Sequence, residues 1–216
     1  MPSSSPPPAT TLCVDHLRYC FDVLDAKLNG KDGPVGQIPH ADESFPLFVT
    51  WNTVSSTGSS RLRGCIGTFE AQPLQQGLEE YALISALKDR RFSPISIAEL
   101  PKLECCVSLL TAFEECKDYL DWELGVHGIY IDFDPPGSGS RRSKGATRGS
   151  LSATYLPDVA PAQGWSKEEA IDSAIEKAGY HGRVTKELRQ SIHVQRYRSE
   201  KAGMRYVEWH AGRKNS

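Results

Sequence analysis

The sequence predicts an α+β protein with a largely antiparallel sheet. Segments of helical and strand period are mixed along the chain, two β-rich runs flank a short turn, and no regular strand–helix–strand alternation or internal repeat occurs. With 216 residues, 39% hydrophobic and 24% charged, the chain can bury a sizeable core as one compact domain or two small lobes.

Residues 1–10, MPSSSPPPAT, are polar and proline-rich with neither a basic stretch nor an apolar run. They predict a disordered tail, not a signal peptide. From Thr11 to Asn29, Cys13, Leu17, Cys20, Phe21, Leu24 and Leu28 recur at helical spacing, and Gly30 can cap the end. FPLFVTWNTV (45–54), the turn SSTGSS and RLRGCIGTF (61–69) read as a β-hairpin. A helix opens at Pro73 and runs to about Arg90; its YALISALK segment is apolar on nearly every side, so it is expected to be buried. Strands follow at 103–111 and from about His127 to Phe133. Residues 134–150 form a basic Gly/Ser-rich loop, and LSATYLP resumes the sheet. Ser166 to Glu169 is a capping box for a helix ending at Gly179, and a helical turn near 185–190 leads to the last strand, SIHVQRYR. Residues 208–216 are expected to be a tail.

Composition narrows the function. No run of about 18 apolar residues exists to span a membrane. Six cysteines without a secretory signal indicate free thiols and an intracellular setting, cytoplasm or nucleus. No C-x-x-C pair or other metal-ligand spacing occurs, so neither a metal nor a cofactor is expected. There is no Walker loop and no nucleophile elbow. Residues 181–216 carry nine Lys/Arg against three Glu, a surplus of +6. Few aromatics interleave with that charge, which favours a solvated surface over a nucleic-acid site formed with Arg141, Arg142, Lys144 and Arg148. Arg141-Arg142-Ser143 reads as a candidate kinase site.

The chemistry concentrates at 61–69. Strand alternation puts Arg63 and Cys65 on one face and Leu62 and Ile66 on the other, which is the expected core side. A cation beside a thiol favours the thiolate, and Gly64 and Gly67 permit close approach by a ligand or by another chain segment. The plainer reading makes Cys65 a small buried hydrophobe and the glycines bulge markers.

LRGCIGTF (62–69), with SALKDRRFSP (85–94), GVHGI (125–129), YLPDVA (155–160) and Trp165, resembles the signature of the AMMECR-type domain family, in its eukaryotic branch. The resemblance covers about residues 12–207. It implies two unequal lobes within one domain, the larger built from both chain ends around an antiparallel sheet flanked by helices, the smaller from the middle. The polar positions it carries over are Arg63, Cys65, Asp89, Arg91 and His127. Candidate ligand-binding residues are therefore Arg63, Gly64, Gly67, Asp89 and Arg91. Candidate catalytic residues are Cys65, Arg63 and His127, the histidine as a base for the thiol. Asp89 and Arg91 have the alternative of a structural ion pair. His127 has that of a satisfied core histidine. Two functions compete: a small-ligand or Cys-dependent catalytic pocket, and a protein-interaction or regulatory domain. The partner is accordingly an unknown small ligand or protein.

Overall fold

The computed structural model describes residues 11–136 and 150–213. The expected tail at 1–10 and most of the basic loop, Ser143 included, lie outside the described residues. The chain forms two compact units: Thr111–Ser199, and the remainder up to Leu110 and from Glu200 onward. The α+β class expected from the sequence is the class observed, with six strands joined in antiparallel pairs. Among the described residues no helix is long and apolar enough to cross a membrane.

The first unit contains α1 (Val14–Leu28), β1 (Ser44–Val54), β2 (Ser60–Pro73), α2 (Leu74–Leu87) and a 3-10 helix (Ile97–Lys102). It also holds the first part of β3 (Leu103–Glu115), the end of β6 (His193–Arg205) and α6 (Tyr206–Arg213). Its strand order is β2-β1-β3-β6. Trp51 on β1 lies opposite Gly64 on β2 and Cys105 on β3, and Val49 lies opposite Ile66 and Val107. Opposed residues share a face, so Leu47, Val49, Trp51, Cys105, Val107 and Leu109 form one fully buried row. Phe21 of α1 meets Trp51 edge-on at 5.1 Å, and the Trp51 indole donates to the Ala82 carbonyl of α2 at 3.0 Å. The two helices therefore seal this face.

The end of the chain departs from the expected tail. Helix α6 runs through Arg213, and Trp209 is 2% exposed, stacked on Phe21 at 5.4 Å with its indole N–H on Asp22. One tryptophan anchors this short helix. A two-turn segment offers too little periodicity to declare itself in the sequence.

The second unit contains the remaining parts of β3 and β6, with β4 (Gly128–Phe133), β5 (Leu151–Tyr155), α3 (Val159–Gln163), α4 (Lys167–Lys177) and α5 (Lys186–Ser191). Its strand order is β3-β6-β4-β5. Ile129, Ile131 and Val194 pack against Ile171 and Ile175 of α4. The capping box at Ser166 is formed: its hydroxyl accepts from Glu169 N–H, and the Glu169 carboxylate accepts from Ser166 N–H at 2.8 Å.

One register detail reshapes the site. Pairing passes from Trp51↔Gly64 to Asn52↔Leu62, so Arg63 is an extra residue on β2, a β-bulge. Beyond it Leu62 turns to the face of Thr50 and Cys65, and it is 39% exposed. The expectation that Leu62 joins the core is thus overturned; Ile66, opposite Val49, keeps its core-side position. Simple alternation cannot survive an inserted residue.

Candidate functional site

The two glycines of the signature come first, because they determine what can approach the strand. A Cβ on Gly64 would stand 2.0 Å from the Ser85 carbonyl oxygen near the end of α2. A Cβ on Gly67 would stand 2.2 Å from the Leu47 carbonyl and 2.4 Å from the Phe48 ring. Protein already fills the room that the missing side chains leave. The expectation that these glycines admit a ligand is corrected to the alternative: another chain segment makes the close approach.

Gly64 lets the end of α2 lie on β2, and the residues just past that helix reach Cys65. Asp89 Oδ2 accepts from the Cys65 N–H at 2.9 Å, and Arg91 Nη2 donates to the Cys65 carbonyl at 3.0 Å. The pair is locked internally: Asp89 Oδ1 accepts from Arg91 Nε at 3.0 Å and from its backbone N–H at 3.1 Å, and Oδ2 accepts from Nη2 at 2.7 Å. β2 is an edge strand, so Cys65 lacks a neighbour on that side. Asp89 and Arg91 supply the acceptor and the donor that another strand would offer, blunting the edge. The Asp89 side chain is 4% exposed, the Arg91 side chain 57%. Hydrogen bonds from Arg91 hold the Asp89 carboxyl well below the usual carboxylate range, against the opposing effect of burial.

Arg63 is bound differently. Its Nε donates to Glu99 Oε1 at 2.8 Å, Nη2 to Glu99 Oε2 at 3.3 Å, and Nη1 to the Ser93 carbonyl at 2.8 Å. Only 13% of its side chain is exposed. Glu99 also closes a capping box on the 3-10 helix, accepting from the Ser96 N–H at 2.8 Å. Arg63, chiefly, draws the Glu99 carboxyl below its ordinary pKa. The expected cation beside the thiol is thus committed to an acid 36 residues away. The Phe92 ring lies 5.9 Å from the Arg63 guanidinium and 5.6 Å from that of Arg91, within cation–π reach of both.

The half-buried Cys65 thiol accepts a hydrogen bond from Thr50 Oγ1 at 3.0 Å. Thr50 also lies opposite Cys106 on β3. Cys65 and Cys106 are therefore two strand spacings apart, about 9–10 Å between backbones, beyond the reach of a disulfide. Burial, first, pushes the Cys106 thiol up to about 11. Arg91, through its bond to the Cys65 carbonyl, is the cation tied to this residue, while Arg63 is tied to Glu99.

His127 belongs to the second unit, and its bonding there is local. Its Nδ1 accepts from the Glu123 N–H at 3.0 Å, leaving Nε2 to carry the ring proton. Burial first, then Arg196 and Arg198, lowers its pKa. The structure thus gathers Asp89 and Arg91 at the Cys65 backbone and turns Arg63 to Glu99, while His127 belongs to the other unit. Sequence reasoning missed Thr50, Phe92 and Glu99. Hairpin register pointed to Thr50, and the Ser96-x-x-Glu99 spacing marked the capping carboxylate. Among the described residues no group of three or more His, Cys, Asp or Glu is arranged to hold a metal ion. Several cations of the basic C-terminal region are engaged in ion pairs, Arg189 with Asp172, Arg196 with Glu114 and Asp121, and Arg213 with Asp25.

The AMMECR1 family model matches residues 17–202. An uncharacterized protein of Arabidopsis thaliana is 48% identical over 191 residues, covering 88% of this chain and 84% of its own. An uncharacterized protein of Schizosaccharomyces pombe is 40% identical over 197 residues, covering 90% and 94%. The crystal structure of an uncharacterized protein from Pyrococcus horikoshii has a TM-score of 0.62 at 25% identity, covering 88% of this chain and 89% of that one.

Proposed function

The chain belongs to the AMMECR1 family, and we propose that it binds a small carboxylate- or phosphate-bearing molecule at Arg91, next to the Cys65 thiol. One observation carries this reading: in the Asp89–Arg91 pair the acid is buried and the base faces solvent. A guanidinium fixed at Nε and Nη2 has lost its side-chain freedom during folding, so an anion need not supply that ordering. Nη1 keeps both of its N–H donors, which suit a carboxylate or phosphate oxygen. An anion held there would lie beside the sulfur, the position from which a thiol attacks or is modified.

Mass-resolved alkylation tests the reading. Iodoacetate carries a carboxylate and iodoacetamide does not, so the ratio of their rates at Cys65 reports anion capture by Arg91. The expected ratio exceeds that of N-acetylcysteine about tenfold, falls when phosphate or citrate competes, and collapses in Asp89→Asn/Arg91→Gln, which keeps a neutral hydrogen-bonded pair. A ratio equal to that of the model thiol, unchanged in the variant, overturns it. A second reading, protein docking, is favoured by Leu62 and Phe69, each 39% exposed on the strand that carries Cys65. A partner bound through that face would be released by Leu62→Ser and be indifferent to Arg91.

A further inference from the structure

We propose that a cavity at the far end of the first unit's sheet binds a small amphipathic carboxylate. It is independent of the Arg91 site. The cavity has a volume of about 600 Å³ and forms where the β1–β2 turn, the start of β3 and the β6–α6 junction converge. That volume lies within the range of about 300–1,000 Å³ usual for small-molecule sites. Val54, Pro101, Leu103, Tyr206 and Val207 give it apolar walls. Val207, in the first turn of α6, is 64% exposed, a β-branched side chain placed in water with a cavity beside it.

Charge sets the class of ligand. Lys102 and Arg205 are the charged residues that line the cavity, and both are positive. The Lys102 side chain makes no hydrogen bond or ion pair among the described residues, and it is exposed. Arg205 Nε pairs with Glu104 Oε1 at 3.8 Å, an ion pair too long to be a hydrogen bond. Glu104 Oε2 accepts from Ser60 Oγ at 2.9 Å and Asn52 Nδ2 at 3.2 Å. Two cations with unspent donors at the rim of an apolar hollow select an anionic head on an apolar body, and disfavour cations and neutral polar molecules. The serine hydroxyls of the turn help shape the rim, where Ser55 Oγ is tied to Thr57 and Ser59 at 2.8 and 2.7 Å.

The test is a decanoate titration of the full chain, below the micelle concentration, followed by amide ¹H–¹⁵N spectra, with decanol as the uncharged control. Decanoate is expected to produce saturable shifts at Thr53–Ser56, Leu103 and Val207. Decanol and the Lys102→Gln/Arg205→Gln variant are each expected to bind about tenfold more weakly. Val207→Asp is expected to abolish the shifts while the rest of the spectrum, and alkylation at Cys65, stay as in the parent. Shifts that do not saturate, decanol binding as tightly as decanoate, or a double variant that binds decanoate undiminished would each overturn the proposal.

Discussion

Arg63 and Arg91 each grip a carboxylate beside the same strand, with burial reversed between the two pairs. In Arg63–Glu99 the guanidinium is the enclosed partner, 13% exposed against 35% for the acid. In Asp89–Arg91 the acid is enclosed, 4% exposed against 57% for the base. The first arrangement encloses the cation, whose bonds to Glu99 and the Ser93 carbonyl fasten β2 to the 3-10 helix. The second spends the acid and presents the base. Two residues that look equivalent in the sequence thus have different capacities, because which partner faces water decides which remains free to act.

The contact that brings α2 against the strand is the most severe point of attack. Gly64→Ala sets a methyl group 2.0 Å from a backbone carbonyl that cannot swing away. Its cost is expected to be about 3 kcal/mol or more, read as a lower urea midpoint or loss of soluble protein, and it should loosen both pairs together. A Gly64→Ala protein as stable as the parent would show that the close approach is not required.

Next come the two arginines themselves. Arg91→Ala strands the buried Asp89 carboxylate and is expected to cost about 2–3 kcal/mol in urea unfolding, while Arg63→Ala, whose acid is better hydrated, costs about 1–2 kcal/mol. Equal losses would erase the asymmetry on which the comparison rests. The iodoacetate preference at Cys65 is expected to survive Arg63→Ala and not Asp89→Asn/Arg91→Gln.

Acid sharpens the contrast further. Because the folded pKa of Asp89 is depressed, its contribution is fully present above the ordinary value of about 3.9 and is lost as pH falls below it toward the folded value. Glu99 is shifted in the same direction. Urea midpoints measured from pH 6 to pH 2 are expected to fall steeply for the parent and less steeply for Asp89→Asn/Arg91→Gln. Glu99→Gln should flatten the acid limb by a smaller amount. The reverse ranking would place the stronger clamp at Arg63.

The smallest effect is local to the thiol. Thr50→Val removes the hydroxyl that donates to Cys65 at nearly constant volume. It is expected to change stability by about 1 kcal/mol or less and the Cys65 alkylation rate by about twofold to threefold, with the iodoacetate preference kept. Loss of that preference would mean that Thr50, and not Arg91, orders the anion.

Much of this was legible residue by residue. The spacing of Leu17, Cys20, Phe21 and Leu24 marked α1, and all four are buried. Ser166 and Glu169 announced the start of α4. The hairpin, the strand at 103 and the Arg-x-Cys stretch were visible because alternation, turn chemistry and capping act over a few neighbours. Leu62 was misplaced because a single bulge residue reverses a strand's faces without a local signature. Trp209 went unseen as a core residue because its partners, Phe21 and Asp22, lie nearly the whole chain away.

The site divides along the same line. Sequence by itself singled out Arg63 and Cys65 in a Gly-flanked strand as candidates, and the family resemblance added Asp89 and Arg91. Tertiary structure decided their partners: Glu99 for Arg63, and the Cys65 backbone for Asp89 and Arg91. The reason is that a charge's role depends on how much water it keeps and which opposite charge the fold delivers to it. Both are set by residues dozens of positions away, brought near only when α2 settles onto Gly64.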